Sequence, residues 1–420
     1  MADRSTPLPV SLPHAPARPP AIWPWFIAAF ALVAAKAPGA LTHAQFWAED
    51  AVIFFLQQRT MGFGALLEQY ANYLHLAPRI VAQLADWFAA AHAPLLYNLA
   101  AVAGAAFSLA YLCTRLHDPA ARAMVLLATL LALTNGEIFG TITNLQWFLQ
   151  LFLFAACLVP AGREGPLRRA GLLIVIAIAS LTGPFSVLLS VVACIAFAAS
   201  LPAWRWPPGA RLRAYMWRLD RVRLSTLAVG ACIQVAVYAS GTVHTPAAMG
   251  VREVVAAMPD VLQAHTFGDV VLPGIVFALG LAAMALELLR QGGLTGECAQ
   301  DRIVVLLLAA VALLQVAAGM VKMTIPLDVG ISDRYVFAFK LAFWVGLVLL
   351  LLPALRARTL TVVLSAMAFI AITHPDYLRR PAFEDRQWPL YGPALDRGEA
   401  IEVPINPAPW TVQVPARPRP

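Results

Sequence analysis

The chain reads as all-α: a polytopic bundle of transmembrane helices, with further helices lying at the membrane interface in its first external loop. Three observations carry that reading. Hydrophobic residues fill 60% of the 420 positions and charged residues only 13%, with a mean hydropathy of +0.72, more apolar surface than a soluble domain of this size can bury. Apolar runs close to the length of a hydrocarbon core recur along the chain. Positive charge, finally, collects in alternate connections between those runs, as expected when basic residues stay inside.

Residues 1–20 are proline-rich and are expected to form a disordered cytoplasmic N-terminus. About eleven runs follow, at 22–36, 93–113, 123–140, 144–160, 170–182, 184–201, 224–241, 273–290, 303–320, 336–353 and 359–373, and together they define a bundle over 21–373. The break at Thr182-Gly183-Pro184 leaves 170–201 either as two short helices joined by a tight external turn or as one kinked helix. With the N-terminus inside, the inner segments hold 17 of the 30 basic residues but only 7 of the 23 acidic ones, and the loop from Trp204 to Arg223 alone has six arginines. The pI of about 9.4 therefore reflects topology, and nucleic acid is not among the expected partners. An odd number of spans puts the C-terminus outside, in the periplasm if the alanine-, arginine- and proline-rich composition marks a bacterial inner membrane.

The external loop 37–92 has helical periodicity over 49–59 and 65–90, with apolar faces from Phe54, Leu56, Ile80 and Trp87, and is expected to form interfacial helices. Segment 374–420, with seven prolines from Pro375 to Pro409, reads as an extended external strap. The five cysteines fall in the runs or on the inner side, so neither disulfides nor a cysteine metal site is expected.

Four clusters on the external side could carry chemistry. In Phe46-Trp-Ala-Glu-Asp-Ala-Val-Ile-Phe54, Glu49 and Asp50 place two carboxylates at a bilayer surface. Desolvation there raises a carboxylate pKa, which suits a base; the competing reading is a helix cap, which fits Asp50 well. Tyr73, His75 and Arg79 interrupt an otherwise apolar stretch; Arg79 is either a site cation or a partner of Glu68 or Asp86. Asn144, Gln146 and Trp147 combine amides with an aromatic plate, as pyranose sites do, although such amides also bond between membrane helices. Lys322, Arg334 and Lys340, with Tyr335, surround one external loop; they suit a phosphate unless Asp328 and Asp333 neutralise them.

Phe46-Trp-Ala-Glu-Asp, Tyr73-Leu-His-Leu-Ala-Pro-Arg79, Thr143-Asn-Leu-Gln-Trp147, Asp333-Arg-Tyr335 and Pro404-Ile-Asn-Pro together resemble a bacterial group within the GT-C superfamily of integral-membrane glycosyltransferases. The resemblance implies a polyprenyl-phosphate sugar as donor, a glycan, lipid or protein acceptor outside the membrane, and inverting transfer. It implies Glu49 or Asp50 as catalytic base and Arg334, with Lys322, Arg79 and Tyr335, around the donor phosphate. Tyr73, His75, Asn144, Gln146 and Trp147 are then expected to meet the sugar or the acceptor. No cofactor is required, although the acidic pair leaves a divalent cation open. A flippase or transporter of a lipid-linked glycan would use the same cations and aromatics, and a non-catalytic polysaccharide-assembly protein could use the acidic pair as a contact. Against transport, no inverted repeat of broken helices is visible.

Overall fold

The computed structural model describes residues 20–162, 164–201, 209–241, 247–268, 299–323, 325, 332–350 and 356–417. The expected N-terminal segment, the run 273–290, Cys298 and much of the loop carrying Asp328 lie outside them.

The described chain is mostly helical. Helices α1 (Ile22–Lys36), α5 (Ala93–Arg115), α6 (Pro119–Leu131), α7 (Gln146–Cys157), α8 (Pro166–Ser180), α9 (Phe185–Ala199), α11 (Arg221–Ser240), α13 (Ala299–Lys322), α14 (Phe337–Leu350) and α15 (Arg356–Thr373) coincide with ten of the eleven apolar runs. Among the described residues, three helices, over Ala90–Arg115, Arg221–Ser240 and Gln300–Lys322, are long and apolar enough to cross a membrane. The others are shorter. At 1.5 Å per residue the 13 residues of α6 reach about 20 Å, less than a flat hydrocarbon core.

Helix α6 stops well before its apolar run ends because its carbonyls are taken from outside. Lys36 donates to Leu130 O and Ala132 O at 3.1 and 2.9 Å, and Lys340 donates to Leu133 O at 2.6 Å. Two lysines at a helix C-terminus satisfy its orphan acceptors and complement its dipole. The chain then turns through Gly136, whose φ of +79° keeps its Cα beside the backbone of Arg380. Between α8 and α9 the structure has a turn and not a kink: Gly183 sits at φ +75° and donates its N–H to Leu74 O.

In the bundle α1 packs on α5, α5 on α7, α9 on α11, α6 on α14, and α13 on α14. Ile174, Ile195, Val229, Val362 and Ile372 remain exposed on α8, α9, α11 and α15, so apolar side chains face outward as well as inward.

The first external loop departs from the expected pair of helices. A short α2 (Gly39–Thr42) is followed by a π-helix over Asp50–Phe55, continued by α3 (Leu56–Met61) and a 3-10 helix over Gly62–Leu67. A hairpin of β1 (Gln69–Tyr70) and β2 (Tyr73–Leu74) comes next, and only Leu76–Ala85 within 65–90 forms an α-helix, α4. Ala71 and Asn72 both have positive φ, which makes a hairpin turn matched to strand twist. Two further helices, α10 (Gly209–Trp217) and α12 (Val251–Phe267), lie in connections read from sequence as loops.

The C-terminal segment is not extended throughout. It holds helix α16 (Trp388–Asp396) and an antiparallel hairpin, β3 (Ile401–Pro404) with β4 (Thr411–Val414). Trp388 is buried against Phe46 and Phe55, and its indole N–H donates to Ala90 O at 2.8 Å. Ala48 donates its N–H to Asn406 O at 2.6 Å, and Asn406 donates to Phe46 O at 3.2 Å. Of the prolines that argued for an extended chain, Pro389 sits at the first turn of α16 and Pro393 inside it, Pro407 and Pro409 lie in the hairpin connection, and Pro404 ends a strand.

Candidate functional site

The Phe46–Phe54 stretch turns sharply at Ala48, whose φ of +29° is rare for a residue with a Cβ. The N–H bond to Asn406 O holds it there. In consequence Glu49 and Asp50 face different places. Asp50 is fully buried and accepts bonds from the N–H groups of Ile142 and Thr143, at 3.2 and 2.9 Å, and from the Thr143 hydroxyl at 2.6 Å. Burial pushes its carboxyl up to about 6, with the Thr143 bonds opposing. It is a latch between the π-helix and the turn before α7. Glu49 instead lines a cavity of about 360 Å³ and accepts a bond from the Tyr70 hydroxyl at 3.2 Å.

Of the twelve residues singled out in the four clusters, nine line that cavity: Glu49, Tyr73, His75, Asn144, Gln146, Trp147, Lys322, Arg334 and Tyr335. Asp50 and Arg79 do not. Arg79 is buried, donates to Gln57 Oε1 at 2.8 Å and lies over the Phe54 ring, so it packs behind the site. Asp86, one of its expected partners, pairs with Arg59 and Arg417. Lys340 is also turned away: it lies 3.8 Å from Asp333 while capping α6.

The hairpin and α4 set one wall. His75 is buried; its Nε2 donates to Tyr70 O at 3.1 Å, and burial, reinforced by Arg79, pulls its pKa down to about 4. The ring is therefore neutral at pH 7, and among the described residues Nδ1 has no hydrogen-bond partner. Burial and the neighbouring Glu49 raise the Tyr70 phenol, which stays a proton donor. Gln234 on α11 bonds Leu74 N and O and Gly183 O, at 3.0 to 3.1 Å, and pins the hairpin to the α8–α9 turn.

The opposite wall is aromatic. Trp147 meets Phe185 and Tyr335 edge-on at centroid distances of 5.0 and 4.9 Å, and its indole N–H donates to Asn144 Oδ1 at 3.1 Å. Asn144 also donates to Glu137 O and the Thr141 hydroxyl, so its amide braces the wall. Tyr73 stacks on Tyr238, with Lys322 Nζ 5.2 Å from the Tyr73 ring. Arg334 lies over Tyr335 and makes an ion pair with Glu137. Burial raises the Glu137 carboxyl, with Arg334 opposing.

Tyr70, Glu137, Gln234 and Gln315 line the cavity and were not singled out. Glu137 had a signal, because it is the one carboxylate between 135 and 144 and sits amid apolar residues. Gln234 and Gln315 are lone amides in apolar runs.

No protein-family model, curated protein or solved structure matches this chain. The site must speak for itself.

A divalent cation does not fit these donors. Asp50 is committed to Thr143, Glu137 to Arg334, and among the described residues no three His, Cys, Asp or Glu side chains group to hold one. One wall of the cavity, from Val187, Leu188, Val235 and Ala318, is aliphatic and belongs to α9, α11 and α13. The chamber thus offers two carboxylates, Glu49 and the Arg334-paired Glu137, two cations, aromatic plates, and an oily side toward apolar helices.

Proposed function

We propose that the chain is an integral-membrane glycosyltransferase of eleven spans that moves a sugar from a polyprenyl-phosphate donor to an acceptor hydroxyl outside the membrane. The observation that carries this reading is the shared cavity of Glu49, Lys322 and Arg334 with an aliphatic wall beside them. An amphiphile with an anionic head and an isoprenoid tail matches both halves of that lining. Glu49 takes the proton of the acceptor hydroxyl, whose oxygen attacks the anomeric carbon. The anomeric carbon–oxygen bond to phosphate breaks, the electron pair leaves with the phosphate, and Lys322 and Arg334 balance its charge. One displacement inverts the anomeric centre. Tyr70 orients Glu49, and Trp147 with Tyr335 offers ring faces to the sugar. Arg334 then exchanges part of its pairing with Glu137 for the phosphate.

The test follows consumption of a panel of polyprenyl-phosphate sugars by purified protein. Wild type is expected to consume at least one donor, and Glu49→Gln to lower the rate by about 10²–10⁴-fold without weakening donor binding. Lys322→Ala is expected to weaken donor binding. Donor bound but never consumed, by folded protein and with Glu49→Gln indistinguishable from wild type, would defeat the transferase reading and favour transport of a lipid-linked glycan.

A further inference from the structure

A second cavity of about 600 Å³ opens on the other side of the Trp47–Glu49 turn. Its walls are Trp47, Asn135 and Glu137, Asp376 and Tyr377, residues 380–384 and the connection of the C-terminal hairpin at 406–408. Its lining contrasts with that of the first. Among the described residues it has no leucine, isoleucine, valine or methionine, whereas the first has an aliphatic side. Trp47 and Phe383 form a stacked pair, with centroids 4.9 Å apart and planes 18° from parallel, and Tyr377 adds a third ring to the lining. Around the rings stand Asp376, Glu384, Glu137 and Asn135.

The charges are balanced. Glu137 is paired with Arg334, and Glu384 with Arg386 at 2.6 Å. Arg380 is buried and committed to Phe139 O at 2.9 Å. Flat rings set among hydrogen-bonding groups, with little net charge and no greasy side chains, suit a neutral polyhydroxylated ligand. The Phe383 ring already meets Trp47 and the Arg380 guanidinium, so C–H faces stack on Trp47 and Tyr377, and hydroxyls donate to carboxylates.

We propose that this second cavity is a binding site for a neutral saccharide, joined to the first cavity through Glu137 and through the Trp47-Ala48-Glu49 turn. Glu137 lines both chambers. Trp47 faces the second while Glu49, two residues on, faces the first, because Ala48 turns the chain between them. The saccharide is the acceptor if the transferase reading holds; its binding does not depend on that reading.

Full-length protein in lipid nanodiscs would be titrated calorimetrically with maltotriose, mannotriose and chitotriose, and separately with trigalacturonate and trilysine. Saturable binding of at least one neutral trisaccharide, at millimolar affinity or tighter, is expected. Phe383→Ala and the isosteric Asp376→Asn should weaken it by at least about tenfold, while Lys322→Ala leaves it unchanged. Asp376 is exposed, so its amide variant tests recognition and not folding. No saturable neutral binding, or binding by the charged trimers alone, would overturn the assignment. So would binding lost in Lys322→Ala but kept in Phe383→Ala, since the sugar would then sit in the first cavity. Donor consumption is read separately, so its absence defeats the transferase reading and leaves the saccharide site standing.

Discussion

At Ala48 a strained backbone is held by one bond to Asn406 O, and the two carboxylates beyond it part company. Which of them could serve as base was not legible in the sequence, because the groups that claim Asp50 lie more than ninety residues away at Ile142 and Thr143. The same local chemistry predicts how stability depends on pH. His75 has its pKa pulled from 6.5 to about 4 by burial, so an unfolded chain protonates first as pH falls; its contribution is full above 6.5 and is lost as pH falls through about 4. Asp50 is raised from 3.8 to about 6, so its contribution is full below 3.8 and is lost as pH rises through about 6. Each is worth roughly 3 kcal/mol at most, and between about pH 4 and 6 they oppose. The thermal midpoint of wild type is expected to vary little there. Asp50→Asn should lose stability toward acid, and His75→Gln should gain it. Identical slopes in all three proteins would refute the assignment.

Among the elements, the helical runs were readable from apolar length alone, since a long run with few charges has few other ways to satisfy its backbone in lipid. Their ends were not. Helix α6 stops where Lys36 and Lys340 reach its carbonyls, a partnership no local pattern announces. The break at residue 183 was visible, but its consequence was not: a Cβ there would meet Gln146 Oε1 at 2.2 Å. Gly183→Ala is therefore expected to cost about 1–2 kcal/mol for the left-handed backbone alone. It should also displace Gln146 from the cavity wall. Chemical denaturation would measure the first effect, and weakened donor binding the second. The interfacial loop is helical over most of 49–59 and over Leu76–Ala85, but the expected helix from 65 gives way where Ala71 and Asn72 accept positive φ and make a hairpin that turns Tyr70 toward Glu49.

For the molecule as a whole, most of the first cavity was legible because polar and aromatic side chains in apolar surroundings need a reason. The second was not, since Trp47 and Phe383 are more than three hundred residues apart. A chain ending after Glu399 lacks β3, β4 and the Asn406 bond that holds Ala48. It is expected to keep its helical circular dichroism and lose both saccharide binding and donor consumption. Retained donor consumption would mean that Ala48 needs no support from the hairpin. Eleven spans predict that cysteines introduced at Leu201 and at Thr411, both exposed, label from opposite sides of a sealed vesicle. Labelling from one side would remove that topology.

The bond between Ala48 and Asn406 also has a meaning in time. A ribosome makes residue 48 more than three hundred residues before residue 406, so through that stretch of synthesis the acidic turn has no anchor. A half-made protein, already carrying every cation and carboxylate of the first chamber, is expected to stay idle until its closing strands arrive on the same side of the membrane. Arrival of the C-terminal hairpin would itself be the switch that arms it.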